Sequence, residues 1–266
     1  MMARSTSVRS RPVHPIYRSE LQQAAYNHGF RKENGEADGW LYFRSDDGIP
    51  GEIALASGNE EGGEPWFLAV EHAGVAAKLR GEFPAALAEP VPGQFRGAFA
   101  FSDQAEMRQA LSRAFHLARA LPTFPLSQFE SDVASLGDTE VERITRERIG
   151  QGYFRGALLD YWNNKCPLTG ISERALLRAS HIVPWARCRS DEERLDVFNG
   201  LLLTAHWDAA FDAGLVSFDD GGKALIRSDL DPAVISLLAP HEIAPLPLTN
   251  AHHRQMAWHR KHFGFE

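Results

Sequence analysis

The chain is poor in cysteine and has no long apolar run. Its 266 residues include two cysteines, Cys166 and Cys188. Two thiols do not indicate a disulfide framework and cannot form a four-thiolate zinc site. No structural zinc is expected. No apolar run approaches the roughly 20 residues that a membrane-spanning helix needs. These features favour a cytoplasmic protein with no membrane partner.

Positive charge is also lacking overall, because the net charge at pH 7 is −7. Any contact with nucleic acid must therefore come from a local basic patch. The hydrophobic share of 44% is an ordinary globular value and allows a buried core. Residues 1–11 are rich in Ser and Arg but lack an apolar segment after the charges. They predict a short disordered tail rather than a secretory signal.

The hydrophobic pattern divides the chain into two parts. We expect an N-terminal α+β domain at residues 1–125, a linker at 126–137 and a C-terminal domain at 138–266. In the first part, the polar residues 31–39 with their two glycines predict a loop. An apolar face along 102–121 predicts a helix, and no catalytic constellation is found in this part. Short strands are predicted at 40–44, 51–56 and 66–70.

The second part begins with a helical pattern over residues 138–163. Gly150 and Gly152 predict a kink or break near its middle. Four arginines stand against one glutamate between 143 and 155, which is typical of a phosphate-contacting helix or of a solvated helix face. Farther along, the pattern predicts a strand at 174–183, a strand or helix lead-in at 201–203, a helix at 204–214, a hairpin at 216–227 and a helix at 249–263.

Four polar residues in the second part have the chemistry for phosphodiester hydrolysis. That reaction needs a base to activate water and a cation to neutralise charge on phosphorus. His181, at the end of the predicted strand, is the candidate base because an imidazole titrates near working pH. Asp208 and Asp212 lie at i and i+4 on one helix face and can reach one ion, and Asn199 can fix a loop. Taken singly, each also fits a packed histidine, a solvated face or a turn.

These residues lie in four blocks whose order and spacing resemble the HNH endonuclease superfamily, the ββα-metal nucleases. The blocks are CPLTG at 166–170, SHIVPW at 180–185, NGLLL at 199–203 and DAAFDAG at 208–214. They are most similar to the branch with a Ser-His-Ile-x-Pro-Trp motif, and the resemblance covers roughly residues 140–230. It implies a C-terminal ββα-metal nuclease domain with flanking helices, and thus an α+β protein.

The resemblance also implies a role for each residue. His181 takes the position of the general base and Asn199 the position that orients it. Asp208 takes the position of a metal ligand, and Asp212 takes one that is a ligand in some relatives. Many relatives have a metal-binding Asp or His before the base, but here the residue is Ser180. Either the two aspartates are sufficient to bind the metal, with water and phosphate as its other ligands, or Ser180 binds the metal through water.

A second departure concerns zinc, since many relatives carry two Cys-x-x-Cys pairs and this chain has only Cys166 there. Contacts with DNA are a further expectation. His206 points about 200° away from Asp208 on a helix, which favours phosphate over the same ion. The candidate DNA-binding residues are Arg148, Gln151, Arg155, Arg178 and His206.

The function expected from these observations is a metal-dependent DNA endonuclease of the restriction or defence type. It would use one Mg²⁺ or Mn²⁺ per chain, act on double-stranded DNA and form a homodimer, so that two centres cut two strands. The N-terminal domain would supply recognition. Two alternatives stay open: a non-catalytic DNA-binding protein that keeps the fold, and a ribonuclease or toxin nuclease.

Overall fold

The computed structural model describes residues 13–58, 66–83, 86–87, 92–238 and 243–265. The disordered tail expected at 1–11 lies outside these residues. The chain divides into two compact units, residues 1–119 and 120–266. Helices and strands occur in both units, and the predicted α+β class is confirmed. In the described part of the chain, no helix has both the length and the apolar character needed to cross a membrane.

The described helices and strands are numbered in chain order. The α-helices are α1 Pro15–Asn27, α2 Ala73–Glu82, α3 Gln104–Ala120, α4 Thr123–Val133, α5 Glu140–Tyr161, α6 Asp191–Leu195, α7 Ala205–Asp212, α8 Pro232–Leu238 and α9 Asn250–Phe263. The strands are β1 Lys32–Ala37, β2 Trp40–Arg44, β3 Glu52–Ser57, β4 Trp66–Val70, β5 Ala86–Leu87, β6 Gly97–Phe101, β7 Leu177–His181, β8 Gly200–Thr204, β9 Val216–Phe218 and β10 Ala224–Ile226.

The first unit is built on a six-stranded antiparallel sheet with the order β1-β2-β3-β4-β6-β5. Strand β3 is buried along its whole length, so both faces of the sheet are covered there. The prediction of a loop at 31–39 is wrong, because β1 lies there and pairs with β2 around a turn at Asp38 and Gly39. Strand β1 is an exposed edge strand and therefore lacks the apolar alternation that marks a strand in sequence.

The second unit starts with two helices where the sequence predicted a linker and a broken helix. Helix α4 occupies much of residues 126–137 and packs on α5. Helix α5 runs unbroken through Gly150 and Gly152. A Cβ at Gly150 would lie 2.5 Å from the Cη2 atom of Trp185. This glycine therefore lets Trp185 approach the helix closely, and the break that the sequence allowed for is absent.

The centre of the second unit is an antiparallel hairpin followed directly by a helix. Strands β7 and β8 pair along their full length, and α7 begins at the residue after β8. The 18 residues between the strands include helix α6. Helix α5 packs on both strands, α7 contacts both of them, and α9 packs near β9. The ββα order that the sequence predicted is thus present at residues 177–212.

Candidate active site

The pairing of β7 with β8 places two neighbouring polar side chains against different helices. Ser180 pairs with Leu201, and His181 pairs with Gly200. Successive side chains of a strand point to opposite faces. Ser180 accordingly contacts α7, where its hydroxyl donates to Asp212 Oδ1 at 3.3 Å. The His181 ring instead stacks on Phe154 of α5.

The His181 ring is held by three groups. Its centroid lies 3.7 Å from that of Phe154, with the two planes 13° apart. Trp185 approaches edge-on, with a centroid distance of 5.7 Å. The third contact is polar and joins His181 Nε2 to the carbonyl oxygen of Arg194 at 2.9 Å. A carbonyl oxygen only accepts, so in the neutral ring Nε2 carries the proton.

This environment keeps His181 neutral. Burial lowers the pKa of the imidazole to about 4, and the hydrogen bond to the Arg194 carbonyl opposes that shift only in part. At neutral pH the ring therefore has a lone pair on Nδ1. Among the described residues, no group forms a hydrogen bond with Nδ1. A neutral imidazole with one nitrogen fixed and the other free is suited to accept a proton.

Asn199 fixes the segment between the two strands. Its Oδ1 accepts from the amide of Val183 at 2.8 Å. Its Nδ2 donates to the carbonyl oxygens of Val183 and Glu193, each at 3.2 Å. The side chain is 2% exposed. Because Glu193 precedes the residue whose carbonyl binds His181, these bonds hold the acceptor of the imidazole in place.

Asp208 and Asp212 lie one turn apart on α7, beside Ser180. Burial raises the pKa of both carboxyl groups. The charge of Asp208 raises the pKa of Asp212 further, whereas Arg178 and the Ser180 hydroxyl oppose the shift at Asp208. Two carboxylates that disfavour each other's charge, with a hydroxyl between them, fit a hard divalent cation. The described residues contain no group of three or more His, Cys, Asp or Glu side chains placed for a metal ion. Water and phosphate would therefore have to complete the coordination shell.

The five candidate DNA-binding residues do not form one continuous group of free side chains. Arg155 donates to the carbonyl oxygens of Leu177 at 3.0 Å and Arg174 at 3.2 Å. Its guanidinium thus braces the start of β7, which competes with the predicted contact to DNA. Gln151 is exposed and donates to Glu147 at 3.0 Å. Arg178 is exposed, but its guanidinium donates to the carbonyl oxygens of Ala175 at 2.9 Å and Leu177 at 3.0 Å. Arg148 is exposed on α5, and His206 is half-buried on α7.

The aromatic support of His181 was not found from the sequence. In the sequence, Phe154 is one of several apolar positions of its helix, and Trp185 lies just after the predicted strand at 174–183. A Cβ at Gly200 would lie 2.4 Å from Phe154 Cζ, so that glycine makes room for the stacked ring. The two glycines at positions 150 and 200 are the only local signal, because each permits an aromatic ring to approach the backbone.

One comparison with known proteins gives a match. Residues 166–219, about a fifth of the chain, match a family model described as HNH endonuclease. The match spans Ser180, His181, Asn199, Asp208 and Asp212 and confirms the predicted resemblance at the level of the superfamily. A comparison with curated proteins found no match.

Proposed function

We propose that the protein is a metal-dependent endonuclease that hydrolyses phosphodiester bonds in double-stranded DNA, because residues 166–219 match the HNH endonuclease family model. The observation that carries the proposal is the state of His181. Its Nε2 is bound to the Arg194 carbonyl and its Nδ1 is left with a free lone pair, at the end of the strand that also bears Ser180. We assign to Nδ1 the removal of a proton from the attacking water.

In this proposal Asn199 and Phe154 position the base. Asn199 ties the connecting segment through Val183 and Glu193, so the Arg194 carbonyl stays in reach of Nε2. Phe154 fixes the plane of the ring by stacking. Neither residue exchanges a proton. They keep the lone pair of Nδ1 directed at the position of the attacking water, and this lowers the entropic cost of the reaction.

Asp208 and Asp212 would hold one Mg²⁺ or Mn²⁺, with Ser180 as a hydrogen-bonding neighbour. A bound divalent ion supplies charge neutralisation at the phosphate and at the departing oxygen. Ser180 contacts α7 and His181 contacts α5. We therefore place the scissile phosphate across the end of β7, where both groups reach it. Arg178 and His206 would then contact neighbouring phosphates, and Arg148 and Gln151 would do so from α5.

We further propose that the first unit recognises the target and that the enzyme serves in restriction or defence in the cytoplasm. The predicted domain limits, 1–125 and 138–266, correspond in this proposal to a recognition part and a cutting part. Each chain carries one such centre, so a homodimer would provide the two cuts of a double-strand break.

A second candidate function is a non-catalytic DNA-binding protein. Ser180 favours it, because a neutral hydroxyl is a weaker primary ligand than the Asp or His of many relatives. The two candidates differ in whether the native chain cuts DNA.

Cleavage of supercoiled plasmid with Mg²⁺ or Mn²⁺ tests the proposal. We expect nicked and linear products with either metal and none with chelator. The double variant Asp208→Asn, Asp212→Asn should lose cleavage, while Asp229→Asn, an exposed carboxylate outside the site, should cut normally. No cleavage by the native chain with any divalent metal would contradict the enzyme and favour the second candidate. Cleavage of structured RNA in preference to plasmid would favour a ribonuclease.

A further inference from the structure

A large cleft lies beside the segment that holds His181. It has a volume of about 950 Å³. One wall is the segment between β7 and β8, which contributes Arg187, Arg189 and Asn199, and the other wall is α9, which contributes Trp258 and Lys261. Both walls belong to the second unit. The cleft therefore shares one wall with the candidate active site but is lined by different charged residues.

The acidic residues of the cleft are largely engaged within the protein. Glu193 accepts from the amide of Arg189 at 2.8 Å and pairs with Arg254 at 3.2 Å. Asp196 accepts from the amide of Phe198 at 2.9 Å and caps a short helical turn. The exposed Glu192 is the remaining carboxylate in the lining. The lining thus offers little free negative charge.

Three cations of the cleft remain free to meet a ligand. Arg187, Arg189 and Lys261 are exposed. In the described ranges, the charged groups of these three side chains form no ion pair. In a chain with a net charge of −7, they make a local basic group on both walls of one cleft. Such a group is suited to bind phosphate.

An aromatic ring lines the same cleft as these cations. Trp258 lines the cleft, and one face of its indole is stacked on His262, with a centroid distance of 4.6 Å and an angle of 13° between the planes. No other ring in the described part of the chain stacks on it. Trp258 is half-buried, so part of its ring is accessible from the cleft to a planar ligand, and a nucleobase is the planar group that normally accompanies phosphate.

We propose that this cleft binds a nucleotide unit, with the base on Trp258 and the phosphate held by Arg187, Arg189 and Lys261. The proposal rests on the nuclease function given above and adds a second binding site to it. The nucleotide can come from two sources: a strand of the DNA substrate that continues beyond the cut, or a free nucleotide. A nucleotide in the cleft would contact the segment between β7 and β8, which also contains the Arg194 carbonyl that binds His181.

Binding without cleavage tests this inference. The full chain in chelator is titrated into a fluorescently labelled DNA duplex, single-stranded DNA of the same sequence, and separately dAMP and dTMP. We expect Trp258→Ala to weaken DNA binding about tenfold, since stacking on an aromatic ring is worth that much per base. Trp258→Phe should retain most of the affinity. Arg187→Ala with Lys261→Ala should lower the salt dependence by about two counterions.

Lys223→Ala, an exposed lysine on the β9–β10 hairpin, is the matched control and should bind as the native chain does. Loss of DNA affinity without dAMP or dTMP binding supports the strand as the source. Binding of dAMP or dTMP that Trp258→Ala removes supports a free nucleotide. The inference is overturned if the Trp258 and Arg187/Lys261 variants bind every probe like the native chain, or if the native chain binds none. A plasmid cleavage assay on the same native preparation then shows whether the proposed nuclease function fails as well.

Discussion

Two histidines of the second unit, His181 and His259, have nearly the same surroundings. His181 stacks on Phe154 at 3.7 Å, and His259 stacks on Phe211 at 3.8 Å. Each Nε2 faces a carbonyl oxygen, that of Arg194 at 2.9 Å and that of Phe211 at 3.2 Å. Burial lowers the pKa of both rings to about 4.

The second nitrogen distinguishes the two rings. His259 Nδ1 forms a hydrogen bond with Ser217 Oγ at 3.0 Å, and the residue is 2% exposed, so both nitrogens are satisfied inside the core. His181 Nδ1 has no such partner among the described residues. Stacking, burial and a lowered pKa therefore do not identify a base. The proposed role of His181 as the base rests instead on the free lone pair of its Nδ1, beside other polar groups.

The largest effect expected from this contrast is on cleavage. His181→Ala should lower the single-turnover rate about 10³-fold, because a general base typically contributes that much, and DNA affinity should be unchanged. His259→Gln should cut at the native rate per folded molecule. Quenched-flow cleavage with a DNA-binding titration on both variants makes the measurement. Equal rates in the two variants would remove the functional distinction between the rings.

The free energy of unfolding should depend on pH through the buried ring of His259. The folded-state pKa of His259 lies below its ordinary value near 6.5, so the unfolded chain binds the proton more readily. This contribution is fully present above pH 6.5 and is lost as the pH falls towards 4. The loss is roughly 3 kcal/mol for a shift of that size.

His259→Gln should therefore flatten the fall in unfolding free energy between pH 6.5 and 4, as measured by urea titrations. The carbonyl of Phe211 opposes the shift and the charge of His262 increases it, so His262→Gln is the matched control for the neighbouring charge. A pH profile of the His259→Gln variant as steep as the native one would contradict the assigned pKa.

The smallest effect is expected on kcat when the stacking partner of the His181 ring is displaced. In Gly200→Ala the new methyl would lie 2.4 Å from Phe154 Cζ and 2.9 Å from Leu158 Cδ1, which displaces the stacked rings. We expect kcat to fall about tenfold with little change in KM, because the ring loses its orientation. Gly152→Ala, with no atom within 4 Å of its added methyl, is the control and should cut normally. An increase in KM with kcat unchanged would indicate an effect on DNA binding instead.

Local patterns predicted the first strand and the helix of the site, and they left residues 201–203 open as a strand or a helix lead-in. Strand β8 and helix α7 contain short apolar runs, and the spacing of His181, Asn199 and Asp208 resembles that of a family whose model matches residues 166–219. Residue roles at the site stay predictions until variants are measured.

The elements that the sequence missed depend on long-range contacts. Strand β1 exists because it pairs with β2, although its own residues are polar. Gly150 reads as a helix breaker, but in the fold it meets Trp185, which is 35 residues away. The stack of His181 on Phe154 and its bond to Arg194 likewise join distant parts of the chain. A local sequence pattern does not indicate which residues from distant parts of the chain come into contact.

The tautomer of His181 is the most direct test of the central claim. Nitrogen-15 NMR of the imidazole side chains at pH 7, with the His181→Ala spectrum used to assign the signals, reports which nitrogen carries the proton. We expect a neutral ring with the proton on Nε2 and a bare Nδ1. A proton on Nδ1, or a doubly protonated ring at pH 7, would contradict the assignment of His181 as the base.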